Sequence, residues 1–281
     1  MRSIPISVEP AMNGTIAQLV AITCHLNTAL LEGKWDPFFP DNSTCQFCDS
    51  ITFRTHPLPL PALGRWTAVW GTPDKWFAWA IDQRFERAAL FHESTDQAQF
   101  PDRMSAAFAG GGGRWFLGVQ KGRTVQSWFP SWTVGNPQAP DRRIWRVVYR
   151  RIGKEPIQIP SADLSQIVAD FSSALMVVEQ FASKHDLDFW AERFRNALAC
   201  LVSDDPMGLA PLKDLAPTGL LDLPALQLLA AAQSAWVFGG MGSWNDLLFD
   251  GEDQVRYDLI SQQLFDVVNL AICSGTNAVH A

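Results

Sequence analysis

The feature that most constrains this chain is a change of hydrophobic period near residue 155. From Ser50 to Arg151 apolar residues tend to alternate, as in half-buried strands. Beyond that they recur every three to four residues, as in amphipathic helices. Strands read from ITFRTH (Ile51–His56), RWTAVW (Arg65–Trp70) and, after a GTPD turn, KWFAWAID (Lys75–Asp82) as a return strand. FERAALF (Phe85–Phe91) suits a strand or a helix. WFLGVQKGRTVQSWF (Trp115–Phe129) reads as a hairpin turning at QKGR. In RIWRVVYR (Arg143–Arg150), Trp145, Val147 and Tyr149 share one face and Arg146, Val148 and Arg150 the other.

Helical spacing appears first over about Ala11–Leu31, with Asn13 as a cap and Gly33 as a stop. It returns from Leu164 to Phe181, capped by Ser161 or Asp163, and again over Leu187–Leu201, Asp222–Trp236 and Glu252–Cys273. The segment Asp222–Trp236 is apolar on most sides and is expected at the centre. DDPMGLAPLKDLAPTG (Asp204–Gly219) reads as a linker. Strands followed by helices predict an α+β fold. It has an N-terminal helix and a mainly antiparallel, Trp-rich sheet (residues 1–155), then a C-terminal helical bundle (156–281). The two regions are either separate or packed as one unit.

Composition narrows the function classes. With 47% hydrophobic and 18% charged residues in 281, the chain is globular and has a sizeable core. Eight of its 12 tryptophans lie between Trp66 and Trp145, so the buried face of the sheet is expected to be aromatic. A net charge of −7 argues against nucleic acid as a partner. MRSIPISVEPAMNG lacks the apolar core of a secretory signal, and no uninterrupted apolar run of about 18 residues is read, so no membrane partner is expected. Five cysteines, an odd number, fit reduced thiols. A cytoplasmic location is the expectation.

The candidate chemistry is sparse. Cys45 and Cys48 form a CxxC, with Cys24 upstream and His56 downstream. Together Cys24, Cys45, Cys48 and His56 have the donor types of a Cys3His zinc site. No second CxxC supports it, and ordinary thiols on a loop are the preferred reading, with no cofactor required. The glycines of AGGGGRW (Ala109–Trp115) precede a strand rather than a helix, so they read as a turn and not a phosphate cradle. Arg142, Arg143, Arg146, Arg150 and Arg151 interleave with Trp145 and Tyr149, but strand geometry puts arginines and aromatics on opposite faces. There is no GxSxG and no HExxH. His185 is expected in a solvated loop and His280 at a frayed end. Asp204–Asp205 and Glu252–Asp253 fall at helix ends or in linkers.

WVFGGMGSWND (Trp236–Asp246) carries three glycines between two helices. One reading is a C-cap at Gly239 or Gly240 followed by a loop whose Trp244 and Leu247 plug the core. The other is a binding loop in which glycines admit a ligand and Trp244, Asn245 and Asp246 contact it. This stretch, with the following YDLISQQLFDVVNLAI, resembles immunity proteins of bacterial polymorphic-toxin systems. The resemblance covers the C-terminal segment only and carries no catalytic residues. It implies a cytosolic protein that binds a cognate protein toxin and blocks it. On that expectation the partner-binding residues are Trp244, Asn245 and Asp246, with Trp128 and Trp132 of SWFPSWTVGNP, read as a segment between strands. The alternative is an enzyme or small-ligand binder with a Trp-lined pocket between sheet and helices.

Overall fold

The computed structural model describes residues 12–55, 68–95, 101–108, 111–155, 159 and 162–279. Helix α1 (Gly14–Glu32) starts where Asn13 accepts the Thr15 N–H at 2.9 Å and stops at Gly33, which is left-handed (φ 69°). Then follow β1 (Cys48–Thr55), β2 (Ala68–Trp70), α2 (Pro73–Asp82), β3 (Arg87–Glu93), a short α3 (Asp102–Ser105), β4 (Arg114–Lys121), β5 (Thr124–Val134) and β6 (Trp145–Glu155). The helical region comprises α4 (Leu164–Lys184), α5 (Asp188–Val202), a short α6 (Pro206–Leu209), α7 (Leu223–Ala235) and α8 (Gly251–Asn277). The fold is α+β.

The strands form one sheet in the order β2-β1-β6-β5-β4-β3. β3 through β6 make an antiparallel meander, whose β4–β5 hairpin turns at Gly122 and Arg123 as the QKGR motif predicts. β1 joins β6 in parallel, and β2 lies antiparallel on β1. FERAALF resolves as strand β3.

KWFAWAID is a helix, not a return strand. Thr72 caps it by accepting the Lys75 N–H, Pro73 sits in its first turn, and Trp76, Phe77 and Ala80 are buried on one side. The residues read as a turn are its start signal. β5 also departs from expectation, because it runs unbroken through Pro130 and takes in Trp128 and Trp132. Its pairing with β4 ends at Trp128, so Pro130 lies where β5 is paired on one side only and the N–H it lacks is not needed there. The Asp204–Gly219 linker contains α6, capped by Asp205. His56, Trp66, Ser161 and His280 lie outside the described residues; Asp163 caps α4.

The inner sheet face meets α1 and α2. Phe53 of β1 stacks on Trp76 at 4.0 Å and on Tyr149 at 4.7 Å, and Trp128 meets Trp76 edge-on at 5.2 Å. All four are fully buried, each contributing roughly 1.5–3 kcal/mol by burial of apolar surface. Most buried hydrophobic residues form one continuous cluster from Ile16 through Phe53 and Trp76 to Phe171, Leu229 and Phe265, so both regions share a core. In the helical region α7 is central, with Leu228 through Ala235 all buried. On the outer sheet face Phe91, Phe116 and Phe129 stack in a smaller group.

By length and composition alone α1 could cross a membrane, but 67% of its most apolar stretch is buried inside the protein, as in a core helix. Its polar side chains have internal work. Asn27 donates to Ala88 O (3.0 Å) and accepts from Ala88 N (2.8 Å). Asn277 of α8 does the same to Leu90, at 2.8 and 2.7 Å. β3 is an edge strand, and these two amides occupy the backbone groups on which another strand would pair.

Candidate functional site

The Trp236–Asp246 loop begins earlier than expected. α7 ends at Ala235 and its C-cap is Trp236, not a glycine. Trp236, Val237 and Phe238 are buried, and they carry the chain along the core before the glycines turn it outward. Trp244 then returns inward with no exposed surface. It donates from Nε1 to Ser261 Oγ at 2.8 Å, and Phe194 meets it edge-on at 5.1 Å. Tyr257 donates its hydroxyl to the Trp244 carbonyl.

The flanking residues brace the loop. Asn245 donates to the Arg103 carbonyl at 2.8 Å, and Arg103 in turn pairs with Asp258 at 2.7 Å. Asp246 accepts from the Gly242 and Ser243 N–H groups, forming a reciprocal cap with Ser243. Gly242 has φ 82°, a conformation that favours glycine, which lets the loop turn back. Thus Trp244 and Asn245 hold the loop from behind while the exposed Asp246 pins its turn, and what the loop presents beside Asp246 is Gly240–Gly242 with Met241 fully exposed at the tip.

Beside that tip lies a cleft of about 610 Å³. Trp132 of β5 and Trp145 of β6 form its sheet-side wall, edge to face at 6.0 Å. Phe189 and Trp190 of α5 form the opposite wall with Trp236, and the first turn of α1 lines it as well. Phe189 is 57% exposed. Of the residues expected to bind a partner, Trp132 lines the cleft and Trp128 does not. Trp128 is fully buried in the inner aromatic group, so it has no surface to offer. Phe189 was not singled out in the sequence, and Trp145 and Trp236 were named there but not as partner-binding residues; the three converge from separate elements, and no local motif joins them.

The thiols are internal. Gln18 donates to Cys48 Sγ at 3.5 Å and accepts the Tyr149 hydroxyl at 2.9 Å. Burial pushes Cys24 and Cys45 up to about 12 and Cys48 to about 11, so all three stay as neutral thiols at neutral pH. Among the described residues no three His, Cys, Asp or Glu side chains come together as a metal site. His56 lies outside those residues, and Cys24, Cys45 and Cys48 do not make such a group.

The other candidates are structural. Gly112 is held in a turn by Ser105 Oγ (2.9 Å) and by the Trp115 indole N–H (3.1 Å). Arg146 pairs with Asp49 at 2.9 Å on the outer face. His185 is half-buried rather than free in a solvated loop; it packs on Phe181 and Phe249 at 4.4 and 4.8 Å. No family model matches the chain, and no match was found among curated proteins or solved structures.

Proposed function

We propose that this is a cytosolic binding protein that seats one partner protein, a cognate toxin, against the aromatic cleft and blocks it stoichiometrically, as an immunity protein does. The observation that carries the reading is Met241, fully exposed on a braced glycine loop at the rim of a cleft walled by Trp132, Trp145, Phe189 and Trp236. Rigid aromatic walls with an apolar tip beside them have the composition of interface hot spots. A loop held by Asn245, Asp246 and Trp244 loses little freedom on binding, which favours affinity.

The test is affinity capture of the tagged chain from its host, followed by reconstitution with the purified partner. One stoichiometric partner, toxic alone and neutral in the complex, is expected. Met241→Asp and Phe189→Ala should each weaken the complex at least tenfold. Capture that both variants leave unchanged would overturn the cleft as the receiving surface. A second reading is small-ligand binding, because the cleft volume falls in the range of about 300–1,000 Å³ usual for such pockets. Native mass spectrometry of the purified protein, seeking a retained small molecule, separates the two.

A further inference from the structure

A second cavity, of about 320 Å³, lies between the edge strand β3 and α8, away from the aromatic cleft. Leu90, Phe91 and Leu270 give it apolar walls, and Asn269, Cys273 and Asn277 line it from one face of α8 at four-residue spacing. Asn269 is 3% exposed, yet among the described residues neither Nδ2 nor Oδ1 has a hydrogen-bond partner.

That is an exception in this molecule. The other buried carboxamides among the described residues are Gln18, Asn27, Asn42, Gln233 and Asn277, and each is bonded at both ends. Three of them take the same kind of partner. Asn27 holds the N–H and C=O of Ala88, Asn277 those of Leu90, and Gln233 those of Leu212. A carboxamide is complementary to the two backbone groups of one extended residue. Burying both ends of an amide without partners is costly, so a group that supplies both is strongly favoured there. Asn269 sits two turns from Asn277, about 12 Å along α8.

We propose that the cavity between β3 and α8 docks an extended peptide segment of a partner. One residue of that segment gives its N–H to Asn269 Oδ1 and its C=O to Asn269 Nδ2, while its apolar side chain packs on Leu90, Phe91 and Leu270. Peptide binding beside a sheet edge through main-chain hydrogen bonds, with a pocket for a side chain, is a physically economical mode of recognition.

The test uses the full ¹⁵N-labelled chain and two probes. N-acetyl-leucine N′-methylamide presents one residue's backbone pair with an apolar side chain. 2-Pyrrolidinone presents an amide edge without peptide geometry. Saturable shifts of the Asn269 side-chain NH2 and of the Leu270 and Cys273 amides are expected with blocked leucine. Asn269→Leu should weaken that binding at least tenfold and raise Tm by about 2–4 °C, since it buries no unpaired amide. If Asn269→Leu does not fold, Asn269→Asp, which accepts but does not donate, must still lose the probe. A cavity that holds only water gives no saturable shift and overturns the proposal, as do shifts that persist in both variants. A lower Tm for Asn269→Leu would assign Asn269 to the fold and overturn it. Saturation by pyrrolidinone alone would replace the peptide with a small amide ligand.

Discussion

Two aromatic groups in this protein use the same residue types to opposite ends. Phe53, Trp128 and Tyr149 of the sheet close against Trp76 of α2 and have no contact with solvent. Trp132, Trp145, Phe189 and Trp236, set between the sheet and α5, leave a cleft open. Trp128 and Trp132 even share one strand. The difference is cover: α2 lies over one end of the sheet, and at the other the glycine loop turns away instead of filling the gap. Tryptophan content alone therefore does not separate core from binding surface.

The sharpest way to break this comparison is Trp128→Ala. In the closed group it should cost about 3–5 kcal/mol, because the packed rings around it cannot collapse to fill the space. Trp132→Ala should cost far less, and urea unfolding of the two variants measures the gap. Equal costs would mean that the cleft is as much core as the closed group. Next comes Asn277→Ala, which leaves the Leu90 N–H and C=O without their partner amide. The expected loss is about 2–4 kcal/mol, with faster hydrogen exchange along β3 as the specific readout.

A smaller effect concerns His25, which ties α1 to the loop carrying Asp214 through a 3.1 Å contact from Nε2 to the Asp214 carbonyl. Burial holds its pKa below the ordinary 6.5, against the upward pull of that carbonyl and of the Asp214, Asp36 and Asp74 charges. The unfolded chain therefore takes up the proton first. This contribution to stability is complete above pH 6.5 and declines as pH falls below it, until the folded state is protonated too. His25→Gln should flatten that part of the urea-midpoint profile between pH 7.5 and 5. The smallest stability effect belongs to Met241→Ala, within about 0.5 kcal/mol by thermal unfolding, since the side chain touches little. Its consequence should appear only in partner binding.

Much of the fold was legible where the signal is local. Asn13 and Gly33 bound α1, Asp163 starts α4, Gly122 turns the hairpin, and alternation along Trp145–Arg150 assigns both faces of β6. α2 was missed because Lys75–Asp82 is so rich in apolar residues that either period fits. Thr72–Pro73–Asp74 decided the matter as a helix start, although the same residues also spell a turn. The parallel pairing of β1 with β6 joins residues nearly a hundred positions apart, and no local pattern records it. The cleft was hidden for the same reason. Its walls come from β5, β6, α5 and the glycine loop, and only packing brings them together. The loop itself drew attention through its glycines, but the burial of Trp244 reverses which of its residues face outward.

The asparagine clamps on β3 also set an order of events during synthesis. Asn27 is made before the strand it holds, whereas Asn277 follows Leu90 by 187 residues. At about 5–20 residues per second, the Leu90 position waits roughly 10–40 s on the ribosome for its partner. Over that interval a nascent β3 is half protected, and the last turn of α8 then closes on it as a latch closes a door.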